Sequence, residues 1–191
     1  MRVSRKQADK NRENVIEVAS RLFRERGFEG IGVADLMKEA GLTHGGFYGQ
    51  FKSKEDLKVQ ASRRALSRNR EALTEAVAKT PEDKLAALAR YYLSDVHRDR
   101  RGEGCALAAL GADAPRSSSE LQAAFRDGLE GYLELLDGLV PGSSGETRRR
   151  KSIATLSAMV GALVLARAVG DDPLSQEILS AVADEIAAQS E

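Results

Sequence analysis

Residues Val33 to Leu57 read VADLMKEAGLTHGGFYGQFKSKEDL, and the remainder of the chain takes its meaning from them. Val33, Leu36, Met37 and Ala40 recur at i, i+3, i+4 and i+7, the spacing of one buried helix face. Gly41 follows the last of them, where a residue in the left-handed region ends a helix most easily. Leu42 then plugs inward, and Thr43 is a candidate side-chain N-cap for a second helix. Phe47 and Phe51, one turn apart, anchor that second helix, leaving Thr43, His44, Gly45, Tyr48 and Gln50 on its other face. Two helices joined by a short glycine turn predict a helix-turn-helix, whose second helix can lie in a DNA major groove.

Upstream, residues 1–9 read as a mobile basic arm, and the basic excess is sharpest at this start of the chain, where Arg2, Arg5, Lys6, Lys10 and Arg12 face only Asp9. A first helix is expected from Lys10 to Arg26, with Val15, Ile16, Ala19, Leu22 and Phe23 on one face and Gly27 as its stop. The expected core of this three-helix unit is Leu22, Phe23, Phe28, Leu36, Phe47, Phe51 and Leu57. Downstream, Ser53 is an N-cap, with Asp56 at the third helical position, for a long helix to Lys79. Thr80-Pro81 marks a fresh start, followed by a stripe of Leu85, Leu88, Ala89, Tyr92, Leu93 and Val96 to about His97.

HRDRRGEGC (97–105) breaks that pattern, and CALAALGAD (105–113) predicts a short helix ending near Gly111. Leu121, Phe125, Leu129, Tyr132, Leu133 and Leu136 mark another helix, and PGSSGE (141–146) is a linker. Beyond it, Ile153 to Val169 is almost entirely apolar or small, and Leu174, Ile178, Val182 and Ile186 recur every four residues. No repeat and no alternating strand pattern interrupts this. The expected fold is all-α with about nine helices: a helix-turn-helix domain over residues 1–52 and a helical body over 53–191.

Composition bounds the function. A chain of 191 residues with 42% hydrophobic content buries a real core. No apolar run reaches the ~18 residues of a membrane span, and the charged N-terminus lacks a signal-peptide core, so a cytoplasmic protein is expected. One cysteine and two dispersed histidines give neither a disulfide framework nor zinc-site spacing, and no metal or cofactor is expected. The formal net charge is zero, but residues 1–60 hold 12 Lys/Arg against 9 Asp/Glu and residues 61–191 hold 17 against 20. That asymmetry fits a nucleic-acid-binding module on a mildly acidic body. No Ser/His/Asp pattern and no glycine-rich phosphate loop after a strand suggests an enzyme.

The string AGLTHGGFYGQFKSKEDL (40–57) resembles the signature of the TetR family of bacterial transcriptional repressors. The resemblance covers residues 10 to 58. It departs from the family pattern at Ile31 and Gly32, where Thr or Ser often precedes the second helix, and at Gln50, where His is frequent. The resemblance implies Tyr48 and Lys54 as a phosphate-binding pair. Beside them, Thr43 can reach a phosphate, His44 and Gln50 can meet base edges, and Gly45 and Gly46 would let the backbone approach DNA closely. It further implies a two-fold dimer whose last two helices form a four-helix bundle, reading a pseudo-palindromic operator. The corresponding seam residues are Ile153, Leu156, Met159, Val160, Leu163, Ile178, Val182 and Ile186. An unidentified small-molecule effector would enter the body among Tyr91, Tyr92, Leu107, Leu110, Phe125 and Tyr132, and release the repressor by tilting the long helix.

Cys105 raises an alternative. It stands at the start of a short expected helix, just after His97, Arg98, Arg100 and Arg101, where a thiolate is favoured. That reading makes the chain a redox- or electrophile-sensing repressor; the competing reading is a small buried hydrophobe. Readings from other classes are a helical protein-binding adaptor and a thiol peroxidase built on Cys105.

Overall fold

A computed structural model describes residues 4–80 and 82–189; Arg2 of the expected arm and Pro81 lie outside them. Among the described residues the regular structure is entirely helical. The α-helices are α1 (Arg5–Arg26), α2 (Val33–Glu39), α3 (Lys54–Ala78), α4 (Lys84–Tyr92), α5 (Asp95–Asp99), α6 (Ala106–Leu110), α7 (Ser119–Asp137), α8 (Gly145–Val169) and α9 (Pro173–Ala188), with single 3-10 turns at His44–Gly46 and Ala114–Arg116. The all-α expectation is met. The chain divides into two compact units, Met1–Ser67 with Arg101–Arg126, and Arg68–Arg100 with Asp127–Glu191. The unit that holds the helix-turn-helix thus runs past residue 52 and recruits a later segment.

In the first unit, α1 begins at Arg5 and not at Lys10, so residues 5–9 are helix where a mobile arm was expected. Ser4 supplies the reason: its Oγ accepts the Gln7 N–H at 3.3 Å, satisfying one of the amides a helix start leaves open. Val15, Ile16, Ala19, Leu22 and Phe23 form the buried face, as expected, and Gly27 ends the helix at φ 75°. A Cβ on Gly30 would collide with the Arg26 carbonyl, so the link to α2 can fold this tightly only on glycine. Phe23 meets Phe28 edge-on at 5.3 Å, and all seven expected core residues are buried.

The later segment joins the same core through Leu110, Ala114, Leu121, Ala124 and Phe125. Arg24 explains part of how it is held. This side chain is buried, a costly state for a charge, and it donates to Gly104 O at 2.6 Å and Ser20 O at 2.9 Å. Glu55 similarly accepts the Ser118 N–H at 3.2 Å.

The second unit starts its own helices later than expected. Asp83 takes a left-handed conformation (φ 44°), and its carboxylate accepts the Ala86 N–H at 3.1 Å, so α4 begins at Lys84. The stripe expected to run on to His97 breaks after Tyr92. Ser94 donates to Tyr91 O at 2.9 Å and accepts the His97 N–H at 3.3 Å, which caps a separate α5. Farther on, α9 packs against α8 and α4. Ser175 ties this hairpin by donating to Ala166 O at 3.0 Å, while Arg167 donates to His97 O at 2.7 Å. Tyr132 buries its hydroxyl against Asn69 Oδ1 at 2.6 Å.

One expectation is corrected by α8. Polar interruptions such as Thr155, Ser157 and Arg167 keep its apolar run short, yet an 18-residue window within it has a mean hydropathy of 1.8. By length and composition alone it is long and apolar enough to cross a membrane. One of its faces, with Leu156, Met159 and Leu163, turns into its own unit, as does Ile186 of α9. Val160, Ile178 and Val182 are half-buried. Ile153, Val164, Leu165 and Val169 of α8 and Leu174 of α9 stand exposed.

Candidate nucleic-acid interface

The interface is built from the end of α2 forward. Gly41 sits at φ 71°; its N–H reaches Lys38 O at 2.9 Å, and the Leu42 N–H reaches Met37 O at 2.8 Å. This double closure is the Schellman arrangement, which satisfies the last carbonyls of a helix and turns the chain sharply. Asn14 of α1 donates to Ala40 O at 2.8 Å and so fixes α2 against α1. Nothing in the sequence pattern distinguished Asn14, because an asparagine in a helix carries no periodic signal.

After the turn, the expected second helix is reduced to a 3-10 turn, His44–Gly46, followed by a bend at Phe47 and a turn through Gln50. Glycine costs about 1 kcal/mol relative to alanine in a helix, and two in succession weaken a segment this short. Thr43 makes no side-chain capping bond, contrary to expectation; its carbonyl accepts the Gly46 N–H at 3.0 Å. Aromatic packing holds the segment instead. Phe47 is buried and stacks on Phe51 at 5.4 Å, and the Arg12 guanidinium lies over the Phe51 ring at 5.1 Å.

That anchoring leaves a polar strip in solvent. Thr43, His44 and Gly45 are exposed, and Tyr48 is 70% exposed, its ring stacked 6.1 Å from that of His44. No atom comes within 4 Å of a Cβ built on Gly45, and its φ is not positive, so internal packing and strain do not require glycine there. Gly46 would meet Met37 and Thr43 at ordinary contact distance. Gln50 departs from the expected exposed face: it is half-buried, with Oε1 enclosed and no hydrogen-bond partner.

Lys54 opens α3 with its ammonium 3.4 Å from Glu29, which also receives Lys58 at 2.7 Å. The Lys58 hydrogen bond, and then the field of Lys54, hold the Glu29 carboxyl below the ordinary carboxylate range. Burial opposes the charge on Lys58, but Glu29 and Glu55 outweigh it and raise its pKa. Lys54 is therefore a cation already engaged by an exposed carboxylate, a competition the sequence did not disclose.

The residues expected around an effector fall in both units. Leu110 and Phe125 are buried in the first unit's core, with Leu107 packed partly against it. Tyr92 and Tyr132 are buried in the second unit, whereas Tyr91 is 46% exposed. Cys105 is buried at the N-cap of α6 and makes no side-chain capping bond there.

Comparison with known proteins converges on this geometry. A family profile described as bacterial regulatory proteins, tetR family, matches residues 15–61. The chain is similar to the HTH-type transcriptional repressor NemR of Escherichia coli (strain K12), 28% identical over 128 residues, which are 65% of this chain and 64% of NemR. It is also similar to the HTH-type transcriptional regulator AcrR of Shigella flexneri, 33% identical over 87 residues, 46% of this chain and 40% of AcrR. The sequence match thus spans somewhat under two thirds of NemR and less of AcrR.

Two solved structures share the fold. The reduced form of E. coli NemR matches with a TM-score of 0.77 at 23% identity, covering 93% of this chain and 95% of that one. A TetR-family transcriptional regulator from Cytophaga hutchinsonii matches with a TM-score of 0.80 at 19% identity, covering 99% and 98%. Residues 15–61, which carry the Schellman-stopped helix-turn-helix, match the tetR family of bacterial regulatory proteins, and the described chain shares the helical fold of solved TetR-family regulators.

Proposed function

We propose that the chain is a DNA-binding transcriptional repressor, acting in the cytoplasm as a two-fold dimer on a pseudo-palindromic operator. The observation that carries this reading is the exposed Thr43–Tyr48 strip, held by buried Phe47 and Phe51. In it, Thr43, Tyr48 and Lys54 bind phosphates, His44 meets base edges, and Gly45 and Gly46 let the backbone come close. Gln50 contributes to base reading by swinging its amide outward.

The second copy covers the exposed faces of α8 and α9, burying Ile153, Val164, Leu165, Val169 and Leu174 with the half-buried Val160, Ile178 and Val182. A lipid contact is disfavoured, because α8 starts with Arg148, Arg149, Arg150 and Lys151 and commits one face to α9. The DNA-binding part is residues 1–52, and a small effector acts on the body, residues 53–191. Effector binding that moves α3 changes the spacing of the two recognition segments; a coupling of about 1–3 kcal/mol shifts operator affinity about 5- to 150-fold.

A second reading is release by modification of Cys105. It is favoured by the NemR structure being that of a reduced form, and opposed by the burial of this thiol, which must first open to react. One titration separates these cases. DNA from immediately upstream of the chain's own gene is followed by fluorescence anisotropy against unrelated competitor, before and after a mild electrophile. Tight, competitor-resistant binding is expected; its absence there and in a selection from random duplexes would end the repressor reading. Loss of binding on treatment, absent in Cys105→Ser, would favour the thiol route.

A further inference from the structure

We propose that Arg12 of α1 and Gln60 of α3 are positioning residues for the recognition segment, joined with Asp56 in one circuit that grips the segment's end at Phe51 and Lys52. The proposal rests on the repressor reading and deepens it. Neither residue meets DNA; each acts through the Thr43–Tyr48 strip that does.

The recognition segment needs support from outside itself. It is a 3-10 turn followed by a further turn, it carries Gly45, Gly46 and Gly49, and Thr43 gives it no side-chain cap. Its aim comes from Phe47 and Phe51, whose rings stack, with Tyr48 set edge-on against Phe47 at 5.3 Å. Phe51 is the last of these anchors, so whatever fixes Phe51 also fixes where Tyr48 and His44 point.

The Arg12 guanidinium lies over the Phe51 ring at 5.1 Å and donates to Gln60 Oε1 at 2.5 Å. Gln60 Nε2 donates to Asp56 Oδ1 at 2.7 Å. The other Asp56 oxygen accepts the N–H of Lys52, the residue after Phe51, at 3.0 Å. The circuit thus closes on the dipeptide Phe51-Lys52, with the ring held on one side and the following amide on the other. In a capping box the third-position acid accepts the N–H of the cap residue itself. Asp56 instead reaches one residue past Ser53, toward the recognition segment, while Ser53 Oγ accepts the Asp56 N–H at 3.0 Å. Gln60 suits the middle place because a guanidinium only donates and an ionised carboxylate only accepts; a side-chain amide offers one acceptor and one donor to join them. Glutamate there would set two carboxylates together, and leucine would leave both partners open. Arg12, Asp56 and Gln60 are all half-buried, which shields these bonds from competing water.

The test uses the full-length protein and two labelled duplexes, one selected from a random pool by the native protein and one unselected. Each is titrated across a salt series at a temperature where circular dichroism shows every variant folded. Gln60→Leu removes no charge, and Arg12→Lys keeps the charge while losing the planar fork. In each, the ratio of selected to unselected affinity should fall roughly tenfold, the scale of one lost base contact, with the salt slope on the unselected duplex unchanged. The double variant should fall no further than the more affected single, because both act through one circuit. Suppose instead that Arg12→Met weakens binding to both duplexes alike and lowers the slope by about 0.9, while Gln60→Leu stays native-like. Arg12 would then be a phosphate contact, and the proposal is overturned. Variants that melt earlier yet keep the native ratio would make the circuit structural only, which overturns it too. A native protein that selects no preferred duplex overturns the repressor reading itself.

Discussion

The two units leave different kinds of side chain in water. Among the described residues of the first unit, the large apolar side chain that stays exposed is Tyr48, set among Thr43, His44 and Gly45. In the second, Tyr91, Val96 and Leu129 are exposed singly, and Ile153, Val164, Leu165, Val169 and Leu174 stay exposed together along two adjoining helices. A lone aromatic with a hydroxyl in a polar strip suits a hydrated, charged partner; a row of branched aliphatic residues suits another apolar surface. One fold thus presents two partner chemistries, and each can be abolished without the other.

Substitutions at two adjacent aromatics separate anchor from reader within the first unit, with the greatest consequence for stability. Phe47→Ala empties a site between Phe51 and the core and should cost about 3–5 kcal/mol of stability, read as an early urea or thermal transition. Tyr48→Ala, one residue on, should change stability by no more than about 0.5 kcal/mol while weakening duplex binding roughly tenfold. If Tyr48→Ala destabilised the fold as Phe47→Ala does, the exposed ring would be packing and not partner contact.

Next comes the apolar row. Leu165→Glu with Val164→Glu puts two charges on the exposed face of α8, each replacing a side chain whose burial in a seam is worth about 1.5–3 kcal/mol. Sedimentation equilibrium should show native dimers and a monomeric variant, with the variant's helicity intact. A native monomer would remove the seam, and with it the two-fold operator reading. No such change is expected from Leu156→Ala, which empties the chain's own core and should lower stability in both states.

How much of this was legible depends on the kind of signal. The helix-turn-helix could be read because its determinants are local: a 3.6-residue stripe, Gly41 where φ is 71°, and Phe47 with Phe51 one turn apart. The weakness of the second helix was written in Gly45-Gly46 but outvoted by the motif. Breaks such as Ser94 and Asp83 were hidden, since a hydroxyl or carboxylate that captures a backbone amide looks like an ordinary surface residue until the amide is seen. Long-range hydrogen bonds were hidden altogether. Asn14 on Ala40 O, Arg24 on Gly104 O and Glu55 on Ser118 N join residues 26, 80 and 63 apart, and no periodicity encodes them. The seam residues were half readable: apolar content marked α8, but which face serves the chain's own core follows only from packing.

A subtler effect belongs to the first unit, because Lys54 belongs both to the fold and to the proposed interface. Its partner Glu29 is exposed and has a lowered pKa, owing first to the Lys58 hydrogen bond and then to the Lys54 charge. A carboxylate depressed in the folded state stabilises above its unfolded pKa, here the ordinary 4.5, and loses that contribution as pH falls through the folded value. Glu29→Gln should therefore lower the melting temperature slightly at pH 7, by the equivalent of less than about 1 kcal/mol for so exposed a pair, and the gap to native should close below pH 4.5. At pH 7 the same substitution releases Lys54 and should tighten duplex binding a few-fold at low salt. Weaker binding would instead mean that Glu29 aims Lys54 at its phosphate, making this carboxylate part of the interface and not a competitor for it.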